Sequence, residues 1–105
     1  MRPTLATNRP PDFLAHRKGD MVAVAVRDLS PGTVQGAYLD TDDDIEVELR
    51  HDVPLGHKLA LADVASGAEV VEYGLRIGTA SQDIRRGDYV HTHNVRSARW
   101  QTSVA

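Results

Sequence analysis

Apolar and polar residues alternate along this chain in short runs. Phe13-Leu14-Ala15-His16-Arg17 is one such run, and Ile45-Glu46-Val47-Glu48-Leu49-Arg50 sends Ile45, Val47 and Leu49 to one face. A period of two with one apolar face predicts half-buried strands. Met21 to Val26 is unbroken apolar sequence, which predicts a strand buried on both faces or a tight corner. The four aspartates between Tyr38 and Asp44 lack the glycine spacing of a calcium loop and predict a solvated hairpin. No segment of twelve or more residues carries a helical period, although KLALADVA, residues 58 to 65, could form a turn or two. The expected fold class is therefore mainly β, with short strands, tight turns and at most short helical turns.

The pattern also repeats. RDLSPGTV (27 to 34), ADVASGAEV (62 to 70) and QDIRRGDYV (82 to 90) share an aspartate, an aliphatic residue, two variable positions, a glycine and then a valine. The aspartate can accept hydrogen bonds from the turn that follows it, the aliphatic residue anchors the turn, and the glycine permits a positive φ. Each copy reads as a one-turn lead-in to a strand, in spacings too short for a solenoid and too irregular for a propeller.

Composition narrows the function. At 105 residues and 41% hydrophobic, the chain suffices for one domain, placed at 12–100 after a loose proline-rich leader (1–11) and before a short tail (101–105). With aromatics at only 5%, the core must be thin and aliphatic, and a partner covering one face would support it. The absence of cysteine excludes disulfides, thiolate metal sites and a cysteine nucleophile. A net charge of −3 argues against general nucleic-acid binding, so any bound anion is expected to be small. No apolar run is long enough to span a bilayer or act as a secretory signal, and the expected location is cytoplasmic.

Three segments taken in order carry a resemblance: DVPLGHKLAL (52 to 61), VVEYGLRIGTA (70 to 80) and GDYVHTHNVRSARW (87 to 100). Together with the repeated aspartate turns they resemble the SAF domain, a β-clip module. Within it they are similar to the N-terminal domain of altronate and galactarate dehydratases and to the small subunit of sulfolactate sulfo-lyase. The resemblance runs from about Phe13 to Trp100. It implies a lyase subunit that helps to eliminate water or sulfite from a small anionic 2-hydroxy acid, a sugar acid or sulfolactate. Because the dehydratases continue into a catalytic body whereas this sequence ends five residues after Trp100, a free-standing subunit, inert alone and completed by a large catalytic subunit, is expected. The alternative is a non-catalytic SAF binding, chaperone or oligomerisation module.

Elimination beside a carboxylate needs a base, for which histidine is suited, and a cation to stabilise the enediolate. The candidate catalytic residues are His57, Lys58 and His93. Asn94 and Arg96 are candidate substrate contacts, and His91 and His93, on one face if HTHN continues a strand, are candidate metal ligands roughly 7 Å apart. A divalent metal (iron, manganese or magnesium) would be held mainly by the large subunit, since HTHN contains no carboxylate. Arg99 is a further candidate anion clamp and Trp100 a candidate interface anchor. His51, beside the GHK segment, belongs to the same inventory but reads equally as a packed strand residue, and His16 reads as surface.

Overall fold

A computed structural model describes residues 10–97. The leader up to residue 9, the tail, Arg99 and Trp100 lie outside the described residues. The strands are β1 (Phe13–Ala15), β2 (Val22–Ala25), β3 (Gly32–Tyr38), β4 (Asp44–Leu49), β5 (Lys58–Ala60), β6 (Glu69–Glu72), β7 (Leu75–Ala80), β8 (Tyr89–Val90) and β9 (Val95–Ser97). They form a six-stranded sheet ordered β4-β3-β1-β2-β5-β8 and a three-stranded sheet ordered β6-β7-β9. The described residues contain no helix, so the expected mainly β fold is observed. KLALADVA is no exception: it forms β5 and then an aspartate turn, because Lys58 and Leu59 pair with both β2 and β8.

Burial explains the apolar runs. Strand β2 lies between β1 and β5, and Val22, Ala23 and Ala25 are each at most 1% exposed, as expected of an apolar run covered on both faces. On β4, Val47 and Leu49 are buried while Glu46 and Glu48 are exposed. The β3–β4 hairpin carries the aspartates at its solvated end, where Lys18 Nζ meets Asp43 Oδ2 at 2.6 Å. That hydrogen bond, with the carboxylate's charge, raises the Lys18 ammonium above its ordinary pKa.

The core is in two parts. One surrounds Phe13, which is fully buried and pairs with Gly36 across the parallel β1–β3 ladder. A Cβ at Gly36 would overlap the Phe13 ring, so glycine there is a packing requirement. The other is wholly aliphatic among its buried members: Val22, Ala60, Val64, Val70, Ala80, Ile84 and Val90. The two sheets are tied together at Met21, whose N–H donates to Val71 O at 2.9 Å and whose carbonyl accepts from Leu61 N at 2.8 Å. Buried Asp12 is saturated by Arg27 Nε at 3.0 Å and the Gln35 N–H at 2.8 Å, joining β1 to β3.

The aspartate turns work in pairs, which differs from the expected local arrangement. Val64 and Ile84 form an isolated antiparallel bridge, as do Leu29 and Val53. Across the first bridge, Asp63 Oδ1 accepts from Arg86 N at 2.8 Å and Asp83 Oδ1 accepts from Ser66 N at 2.9 Å. Each carboxylate therefore caps the opposite turn rather than its own. The Leu29–Val53 bridge also reveals a fourth copy of the turn, Asp52-Val53-Pro54-Leu55-Gly56. Glycines 32, 56, 67 and 87, which end the four copies, all have positive φ.

Candidate functional site

The GHK segment begins at one of these turns. Gly56 takes φ +83°, its N–H donates to Ala25 O, and the His57 N–H closes back on Pro54 O at 3.0 Å. The His57 carbonyl accepts from Ala25 N at 2.8 Å, so the His57 backbone is held on both sides. Lys58 then enters β5 opposite Val90 of β8, which brings residues 57–58 and 89–91 together across one ladder.

Four rings meet there. The Tyr89 hydroxyl lies 2.7 Å from His57 Nδ1. His91 stacks on the Tyr89 ring, with centroids 5.6 Å apart and planes 8° apart, and its centroid is 5.2 Å from that of His57. His93 lies at 5.6 Å from the Tyr89 ring at a tilt of 37°. The candidates His57, His91 and His93 are thus gathered around Tyr89, a residue the sequence reading passed over. A signal for it existed: in Tyr89-Val90-His91 the period of two places Tyr89 and His91 on one face.

The strand expected through HTHN does not continue. Strand β8 ends at Val90, and residues 91–94 turn instead, because Asn94 closes the loop with both ends of its amide. Asn94 Oδ1 accepts from His91 N at 2.9 Å, Nδ2 donates to Tyr89 O at 2.7 Å, and the side chain is nearly fully buried. His91 and His93 consequently approach Tyr89 from a turn rather than along an alternating strand.

Two grooves adjoin the ring cluster. The first, about 430 Å³, is lined by Gly56, His57, Lys58, Ile77, Val90, His91, Thr92, Val95 and Ser97. In it Lys58 Nζ donates to Glu72 Oε1 at 2.6 Å, with Glu72 only 9% exposed at the end of β6. Glu72 too escaped the sequence reading, since it lies 14 residues from Lys58 and no local pattern links them. The second groove, about 340 Å³, includes Arg50, His51, Arg85, Asp88, Tyr89, His93 and Asn94. There Asp88 Oδ1 faces Arg50 Nε at 2.9 Å without hydrogen-bond geometry, a charge pairing only.

Arg96 lies in neither groove. It is exposed on β9 opposite Thr79, between Val95 and Ser97, whose side chains face the first groove. Among the described residues no group of three or more His, Cys, Asp or Glu side chains is placed to hold a metal ion. The imidazoles here are arranged around a phenol, and this chain's described donors do not by themselves make a complete metal site. No helix among the described residues is long and apolar enough to cross a membrane.

Comparison with known proteins agrees with this architecture. The altronate/galactarate dehydratase SAF domain family matches residues 11–98. The chain is 38% identical over 91 residues to (2R)-sulfolactate sulfo-lyase subunit alpha of Chromohalobacter salexigens, covering 85% of this chain and 97% of that protein. It is 50% identical over 78 residues to altronate dehydratase of Escherichia coli, covering 74% of this chain but only 15% of the dehydratase. A (2R)-sulfolactate sulfo-lyase subunit alpha of Paracoccus pantotrophus is 39% identical over 57 residues, 54% of this chain and 85% of that subunit. With 11–98 matched and the clip, its paired turns and the GHK and HTHN segments all in place, the chain belongs to the altronate/galactarate dehydratase SAF-domain family.

Proposed function

We propose that this chain is the small subunit of a lyase of the altronate dehydratase type, which eliminates water or sulfite from a 2-hydroxy acid together with a large catalytic subunit. The observation that carries the reading is the convergence of His57, Lys58 and His91 on one groove at the ladder between β5 and β8.

In such a reaction a base removes the proton from the carbon that bears the hydroxyl and adjoins the carboxylate. The leaving group departs from the next carbon with its bonding pair, and the enol left behind becomes a 2-oxo acid. The charge that builds on the carboxylate oxygens is stabilised by fixed donors and cations. Lys58 is suited to this role because Glu72 holds its ammonium at the groove. The imidazoles around Tyr89 provide groups suited to proton transfer or hydrogen bonding. In this reading the large subunit covers the groove and supplies the remaining contacts, including any divalent metal, which leaves the chain inert alone. Whether the substrate is sulfolactate or a sugar acid is then decided mainly by that subunit.

The test is reconstitution. The purified chain should show no elimination with sulfolactate, altronate or galactarate, and adding a large catalytic subunit of the same family should restore turnover with one of them. In the active complex Lys58→Gln should lower turnover about 100-fold, the range for loss of a fixed transition-state donor. Turnover by the isolated chain, or an unaffected Lys58→Gln complex, would contradict this reading.

A further inference from the structure

We infer that Tyr89 is a positioning residue that makes His57 a hydrogen-bond donor and prevents it from serving as the base. The inference rests on the proposed elimination and assigns a role within its site. The Tyr89 hydroxyl and His57 Nδ1 are 2.7 Å apart, so one of them carries the shared proton. Two arguments place it on the phenol. A phenol oxygen gives part of its lone-pair density to its ring, so it is a better donor than acceptor, whereas the in-plane lone pair of a neutral imidazole nitrogen is a good acceptor. Also, the opposite arrangement would occupy the phenol oxygen as acceptor and leave its O–H to find another partner, and His57 Nδ1 is the one side-chain partner the described residues provide for it.

With Nδ1 accepting, neutral His57 carries its proton on Nε2. The only basic lone pair of the ring is capped by Tyr89. The nitrogen left for a ligand in the groove is an N–H, which can donate to a carboxylate or enediolate oxygen but cannot take a proton from carbon. Tyr89 is itself fixed: its carbonyl is held by Asn94 Nδ2 at 2.7 Å, its ring is stacked by His91, and its residue pairs with Leu59 in the β5–β8 ladder. The His57 backbone is likewise held on both sides, its N–H donating to Pro54 O and its carbonyl accepting from Ala25 N. Both partners of the bond are therefore set by the fold before any ligand arrives, which is what a pre-organised donor requires. The base of the reaction is then another group, His91 in the same groove, His93 beyond Tyr89, or a residue of the large subunit.

Two measurements test this. In the full chain labelled with ¹⁵N-histidine and held where imidazole is neutral, His57, assigned with His57→Gln, should show an unprotonated Nδ1 and a protonated Nε2. Tyr89→Phe keeps the ring against His91 and His93 and should shift the tautomer ratio about five-fold toward Nδ1–H, the equivalent of one ordinary hydrogen bond. In the reconstituted complex, His57→Gln, whose amide can still donate, should retain turnover within about ten-fold of the parent, while His57→Leu should lose about 100-fold. A protonated Nδ1 in the parent, a tautomer unchanged in Tyr89→Phe, or equal losses in the Gln and Leu variants would overturn the inference. Parental turnover in both variants would overturn the donor role as well. A parent complex without any elimination would instead count against the proposed function, while the nitrogen shifts of the free chain would still decide the assignment to Tyr89.

Discussion

The two bridged turn pairs use the same five-residue pattern and differ by one N–H. Across Val64 and Ile84 both aspartates cap the opposite turn, through Asp63 to Arg86 N and Asp83 to Ser66 N. Across Leu29 and Val53 only one does, Asp28 Oδ1 accepting from Leu55 N at 2.9 Å. The mirror-image donor would be the nitrogen at position 31, and Pro31 has no N–H to give. All four turn aspartates are exposed, so what sets Asp52 apart is the missing donor rather than its burial. The half-capped pair is the one that presents His57, whereas the equivalent positions after Gly67 and Gly87 hold Ala68 and Asp88. In all three the backbone makes the same closure, from the residue after glycine to the carbonyl three back. The turn thus supplies a rigid backbone slot that accepts different side chains: Ala68 in one copy, Asp88 in another, where Oδ2 accepts from Arg85 N at 2.9 Å, and His57 in the third.

The contrast can be broken most strongly at the glycines. Gly87 and Gly56 both have positive φ, but a Cβ at Gly87 would run into the Glu48 carbonyl, whereas at Gly56 it meets open space. Adding the left-handed penalty to overpacking, Gly87→Ala should destabilise by about 3 kcal/mol and Gly56→Ala by about 1 kcal/mol, measured by urea unfolding. Equal costs would mean that the two pairs are equally tight. At the aspartates the difference should be smaller. Asp83→Ala should cost about 1–2 kcal/mol, as the loss of a turn cap does, and Asp52→Ala under about 0.5 kcal/mol in the same titration. The smallest effect would sharpen the comparison directly. Pro31→Ala restores an N–H opposite Asp52, so a double-mutant cycle of Pro31→Ala with Asp52→Ala should show a coupling of about 0.5–1 kcal/mol. No coupling would show that something other than the missing donor keeps Asp52 from capping the opposite turn.

Much of this architecture is legible in the residues, and what is not has identifiable causes. The alternation in β4 and the apolar run of β2 translate directly into burial, because period-two patterns are read one strand at a time. The aspartate turns are visible as a repeat, yet their hydrogen bonds go to partners such as Arg86 and Ser66, which only the paired fold brings close. The fourth copy, Asp52 to Gly56, lacks the later valine and so hides within the GHK segment. The HTHN turn escapes a strand reading because its determinant is the Asn94 amide reaching back to Tyr89 and His91. Histidines and lysine draw the eye as chemistry. Tyr89 and Glu72, which hold them, carry no such mark, and only the β5–β8 ladder and the β6 terminus give them their roles.

The β5–β8 ladder has a consequence in time. His57 and His91 are 34 residues apart in the chain, and the groove between them needs both. At about 5–20 residues per second a ribosome spends roughly 2–7 s between the two. Throughout that interval β5 has its β2 neighbour but not β8, and Lys58 waits at an open edge until the last strands arrive. The domain therefore completes this groove only once β8 and β9 have been made, and under the proposed function a large partner that recognises the groove would engage only a chain whose synthesis has passed β9.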